Sequence, residues 1–87
     1  MYTAHAQTRC QQRAISPVVV ETLLSYGQQR RHHGADIYYF DKQARSRAAA
    51  ALGEGFKRLE KRLNSYLVVS DDGQLITAGR RLTRLKF

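Results

Sequence analysis

Tyr66-Leu67-Val68-Val69-Ser70 and Gln74-Leu75-Ile76-Thr77-Ala78 are two β-forming runs separated only by Asp71-Asp72-Gly73. Gly73 supplies the positive φ that such a turn needs, so this part of the chain folds back on itself as an antiparallel hairpin. Gly79 then permits a bend or bulge, and Arg80 to Phe87 reads as a further strand. A second hairpin is expected upstream. Gln28 to His33 is polar and basic, Asp36-Ile37-Tyr38-Tyr39-Phe40 is rich in β-formers, and Gly34-Ala35 separates them. The polar first strand of that pair belongs at a sheet edge or against a ligand.

Helical signals fill the remainder. Ala4 to Arg13 has no breaker and carries Ala6, Cys10 and Ala14 four residues apart, a narrow small-residue stripe suited to close packing. Ser16-Pro17 starts a second helix, Pro17 to Tyr26, which Gly27 stops. Val19, Val20, Leu23 and Leu24 form its apolar side, with Glu21, Thr22 and Ser25 toward water. Asp41 caps a third, longer helix whose apolar side runs through Ala44, Ala48, Leu52, Phe56, Leu59 and Leu63. Gly53 and Gly55 interrupt it, each costing roughly 1 kcal/mol relative to alanine, so either two helices or one with a weak middle is expected. The order is ααββαβββ, an α+β fold in one domain over 1–87.

A chain of 87 residues holds one modest core, which leaves its chemistry to the surface or a shallow groove. Fifteen Lys and Arg against seven Asp and Glu give a net charge of +8, and eleven of the fifteen are arginines, whose planar fork suits phosphate. That balance points to a polyanion and favours nucleic acid over a generic basic surface that merely keeps a small protein soluble. Cys10 is the only cysteine, so there is no internal disulfide, and no spacing of Cys or His suits a structural zinc. No metal or cofactor is expected. The first residues lack the basic and apolar runs of a signal peptide, and no apolar stretch approaches the ~20 residues of a membrane span. A cytoplasmic protein is expected, with no membrane partner.

His5, Arg9 and Arg13 share a second face of the first helix, lining up one imidazole and two guanidiniums. Metal-independent RNA cleavage needs a base for the 2′-hydroxyl proton, an acid for the leaving oxygen and cations for the charge on phosphorus. Histidine fits the proton transfers near neutral pH, and arginine the charge. His5 and Arg9, joined by Arg80 or Arg81 from the last strand, meet that minimum if helix and strand converge. Thr77, facing opposite to Ile76, is placed to position a phosphate oxygen, and Arg13, Arg30, Arg31 and Arg80 to bind the backbone. The competing reading is that His5 caps or packs near the N-terminus and Arg9 pairs with an acid such as Asp36.

Other residues carry less. His32 and His33 point to opposite faces of a strand and make a poor metal pair. Tyr38, Tyr39 and Tyr66 lie in strands, where one or two can stack on bases, while one of Tyr38 and Tyr39 belongs to the core. The cations from Lys42 to Arg62 read as a solvated helical face that raises the local potential. Cys10 reads as buried and inert.

His5-Ala6-Gln7-Thr8-Arg9, followed by Arg13-Ala14-Ile15-Ser16, and the closing hairpin with its Ile76-Thr77 pair resemble a family of small bacterial domains grouped with the RelE/ParE toxin superfamily. The resemblance covers the first 27 residues and the last 25. It implies a small twisted antiparallel sheet with two N-terminal helices packed on it. It also implies one of two activities, metal-independent mRNA cleavage as in RelE-like members or gyrase inhibition as in ParE-like ones. The chain departs from that pattern in having Ala14 where the family usually carries glycine, and in its longer central helix.

Three functions are therefore expected to compete: a toxin-like metal-independent endoribonuclease, a non-catalytic nucleic-acid-binding module such as a phage or plasmid accessory protein, and a module that binds an acidic protein such as an antitoxin or a gyrase subunit. The site residues expected are His5, Arg9 and Arg81 for catalysis, with Arg13, Arg30, Arg31, Thr77 and Arg80 for the nucleic acid.

Overall fold

A computed structural model describes residues 2–80. Helix α1 spans Ala4–Gln12 and α2 Pro17–Tyr26; strands β1, Gln28–His32, and β2, Ala35–Tyr39, follow. Next come α3, Lys42–Leu52, α4, Glu54–Leu59, and a 3-10 turn over Glu60–Leu63, before β3, Ser65–Val69, and β4, Leu75–Arg80. The fold is α+β, with four strands in one antiparallel sheet ordered β1-β2-β3-β4. Of the fifth strand expected over 80–87, Arg80 belongs to β4, and the remainder, with the expected catalytic Arg81, lies outside the described residues.

The helix starts follow from their caps. Ser16 accepts from the Val19 amide at 3.4 Å with Pro17 behind it, and Asp41 accepts from the Ala44 amide at 2.8 Å. The long third helix breaks at Gly53, which turns to φ +57 and separates α3 from α4. Phe56 and Leu63 continue the apolar side beyond the break into the same core as Ala44 and Ala48.

Helices cover one side of the sheet. Leu67, Ala78, Leu75 and Phe40 meet Val19, Val20 and Leu23 of α2 in the core, and Tyr38 packs against it. Alternation along each strand sends Ile37, Tyr39, Tyr66, Val68 and Thr77 to the other side, and none of them belongs to the core or packs on it. Tyr38 is thus the inward tyrosine of β2 and Tyr39 the outward one.

Several sequence expectations need correction. Thr22 does not face water: it is 7% exposed, and its hydroxyl is satisfied by donating to the Val18 carbonyl at 2.7 Å, whereas Val18 is 55% exposed. Ala14 leaves the small-residue stripe of α1 and is exposed at φ +53, and Ile15 takes the buried place. The amides of Ile15 and Ala14 close back on the Cys10 and Gln11 carbonyls at 2.9 and 3.3 Å, a Schellman ending with alanine where glycine is favoured. His33 is not in a strand. With Gly34 it forms the two-residue turn between β1 and β2, both at positive φ, and its ring meets that of His32 edge-on at 4.0 Å. Arg45 and Arg47 are not simply solvated, since they bind Asn64 Oδ1 at 2.6 Å and the Tyr26 carbonyl at 3.1 Å.

Candidate functional site

Helix α1 lies along β4 and is fixed to it at both ends. At its start the Thr3 amide donates to the Leu75 carbonyl at 3.1 Å and the Thr3 hydroxyl to the Ile76 carbonyl at 3.2 Å, while Thr3 Oγ1 also caps the helix by accepting from the Ala6 amide. At its end Arg80 Nε donates to the Arg13 carbonyl at 3.0 Å. Between these ties Ala6 and Cys10 are buried against the sheet, which turns the face with His5, Arg9 and Arg13 outward. Burial also pushes the Cys10 thiol above its ordinary pKa, consistent with an inert group.

On that outward face Arg9 Nε donates to His5 Nε2 at 3.4 Å. The ring nitrogen that accepts is the one without a proton, so the imidazole presents a lone pair beside a guanidinium. Asp36 is not the partner of Arg9, and His5 is not buried. Arg80 joins the Arg13 end of the helix, about 12 Å along the axis from His5. The convergence of helix and strand is real, but it brings Arg80 to Arg13 and leaves His5 with Arg9 alone.

The remaining expected residues fall on other surfaces. Arg31 bridges Asp71 of the β3–β4 turn and Asp36 of β2, the latter at 3.5 Å. Its hydrogen bond holds the Asp71 carboxyl below the usual carboxylate range. Arg30 pairs in register with Ile37, Ile37 with Val68, and Val68 with Thr77. Arg30 and Thr77 therefore belong to one row across the sheet side away from the helices, spanning roughly 14 Å between the outer strands. Thr77 is separated from the His5 surface by the sheet itself.

The row beside it was not evident from the strands read singly. Gln28, Tyr39, Tyr66 and Gly79 pair across the four strands, and a Cβ on Gly79 would stand 2.7 Å from Tyr66 Oη and 2.8 Å from Cζ and Cε1. Gly79 adopts no left-handed φ, so its lack of a side chain provides space for the Tyr66 ring. The signal available in the sequence was the Tyr66 and Gly79 pair, but only with the correct register.

A groove of about 610 Å³ opens between the end of α1 and the start of α2, lined by Tyr2, Gln7, Cys10, Gln11 and Ala14 to Pro17. It contains none of the expected site residues. Among the described residues no group of three His, Cys, Asp or Glu side chains could hold a metal, and no helix is long and apolar enough to cross a membrane. Comparison with protein-family models, curated proteins and solved structures found no match to this chain.

Proposed function

We propose that this chain is a toxin-type domain acting on RNA in the cytoplasm, gripping the phosphate backbone along the α1–β4 edge and cleaving it without metal at His5. The observation that carries the reading is the Arg9 to His5 hydrogen bond on an exposed helix face. A phosphate drawn to the Arg9 guanidinium takes up its Nε–H and frees the His5 Nε2 lone pair beside the substrate. His5 then accepts the 2′-hydroxyl proton, the 2′-oxygen attacks phosphorus to give a cyclic phosphate, and the 5′-oxygen leaves with a proton from the imidazolium or water. Arg9 offsets the charge that gathers on the phosphoryl oxygens. Arg13 lies one helical step further along the same face, where it holds the next stretch of backbone. The resemblance of the opening and closing segments to the RelE/ParE group supports the same reading.

The test is incubation of the full chain with total RNA in EDTA, against His5→Ala of unchanged circular dichroism. Cleavage by the native chain alone is the expected result. Intact RNA with well-folded protein removes the catalytic step.

A second reading, binding of nucleic acid or of an acidic protein such as an antitoxin without turnover, is favoured by one observation. His32 and His33 sit on β1 and its turn, at the opposite edge of the sheet from β4, so neither can act as the acid for His5. Under that reading RNA affinity falls steeply with salt while the RNA stays whole.

A further inference from the structure

We propose that the groove between α1 and α2 is a pocket for one base of the bound nucleic acid, entered from the Arg13 and Arg80 corner, where the adjoining phosphate is held. This deepens the RNA-binding part of the proposed function and rests on it. The groove measures about 610 Å³, within the range that takes a small planar ligand. It belongs to a different side of α1 from the His5 and Arg9 face, because Gln7 in its wall is two residues from each, about 200° round the helix. The base it takes is therefore a neighbour of the reacting step. Its lining is neutral. Gln7 and Gln11 stand four residues apart on α1, both exposed, and neither carboxamide has a hydrogen-bond partner among the described residues. A carboxamide offers a donor and an acceptor together, the pair that the edge of a base requires.

Tyr2 supplies a ring to the same lining, fixed by its bridge to Leu75 and by packing on the core. Burial, with Cys10 and Glu21 near by, pushes its phenol up, so the hydroxyl keeps a proton to donate at neutral pH. Buried Cys10 and Ile15 add an apolar floor. Charge is confined to the ends. Ala14 of the lining follows Arg13 directly, and Arg80 Nε sits on the Arg13 carbonyl at 3.0 Å, so two arginines border the end of the groove. The Glu21 charge acts on Tyr2, at the other end. An anionic backbone is thus held at the Ala14 end and repelled from the Tyr2 end, which orients a nucleotide with its base inward. An acidic peptide would match the arginines but brings no flat neutral group for the paired carboxamides and the ring.

The experiment titrates the native full chain, observed by amide NMR, with adenosine monophosphate and with ribose 5-phosphate. The nucleotide is expected to shift the amides of Gln7, Cys10 and Gln11, and the sugar phosphate only those at the Arg13 corner. Fluorescence anisotropy with a labelled single-stranded oligoadenylate then tests variants of an exposed position. Gln11→Leu should weaken binding by roughly tenfold, and Gln11→Trp, which fills the groove, by at least as much, with polyphosphate binding unchanged in both. Equal shifts from the two small ligands, or oligoadenylate affinity unmoved by either variant, overturns the pocket while leaving RNA binding intact. An acidic peptide that shifts the groove amides where adenosine monophosphate does not overturns it in favour of a protein partner. Altered self-association or stability in Gln11→Trp, without effect on RNA, overturns it in favour of a second copy or of this chain itself. Absence of any RNA binding removes the proposed function, and the pocket with it.

Discussion

Arg80 Nε donates to the backbone carbonyl of Arg13 at 3.0 Å, across 67 residues of sequence. The bond fastens the end of α1 to the end of β4 and places two guanidiniums at one corner of the molecule. It also satisfies a carbonyl at the helix terminus that has no intrahelical partner. Arg80→Leu should therefore lower the unfolding free energy by about 1 kcal/mol, measured by urea denaturation, and weaken RNA binding in the same variant. Unchanged stability would mean that α1 is held by Thr3 and its buried face alone.

Ala14 is the residue that the helix ending strains. A non-glycine side chain at φ +53 costs of the order of 1 kcal/mol, and the Ile15 and Cys10 contact holds it there. Ala14→Gly is expected to raise stability by about 0.5 kcal/mol, because the gain in the native state is partly offset by a freer unfolded chain. Thermal denaturation of the two proteins checks the sign.

Cys10 is 7% exposed and its thiol is pushed up by burial, so little thiolate exists at neutral pH. A disulfide-exchange reagent should react slowly with native protein and rapidly once denaturant opens α1 from β4. Rapid labelling without denaturant would show that α1 opens locally at low cost.

The Arg31 ion pairs carry a pH dependence of definite sign. The folded Asp71 carboxyl titrates below its unfolded value, so the pair contributes fully above about pH 4 and is lost as pH falls through the lowered folded value. Both partners are exposed, and the effect on stability is small and screened by salt. The functional effect is the better test. Asp71→Asn should release Arg31 toward phosphate, raising RNA affinity at low salt and steepening its salt dependence by up to about one ion.

Helix caps and turns were legible because each is decided by a few adjacent residues. Ser16-Pro17, Asp41 and Gly73 all act where the sequence places them, and α2 runs from Pro17 to Tyr26. What depended on a one-residue register was not legible. Pairing symmetric about the Asp71-Asp72-Gly73 turn sets Tyr66 opposite Ala78. The bulge at Ile76 moves the partner to Gly79, sends Thr77 to the outer side and turns Ala78 into the core. Thr22 turns inward for another reason: a hydroxyl that donates to its own helix can be buried among valines and leucines, so its polarity does not report its side. At the site, helical spacing sufficed to join His5 to Arg9, whereas Arg80 could be assigned to Arg13 only once the direction of α1 along β4 was known.

In the proposed function RNA is the ligand and His5 the group that activates its 2′-hydroxyl. The most direct measurement is cleavage, in EDTA, of a single-stranded RNA oligonucleotide and of its 2′-deoxy counterpart by the native chain and by His5→Ala. The prediction is cleavage of the RNA alone, ending in a cyclic phosphate, and a loss of at least a hundredfold in His5→Ala. Cleavage of both oligonucleotides, equal activity in His5→Ala, or intact RNA with folded protein would contradict it.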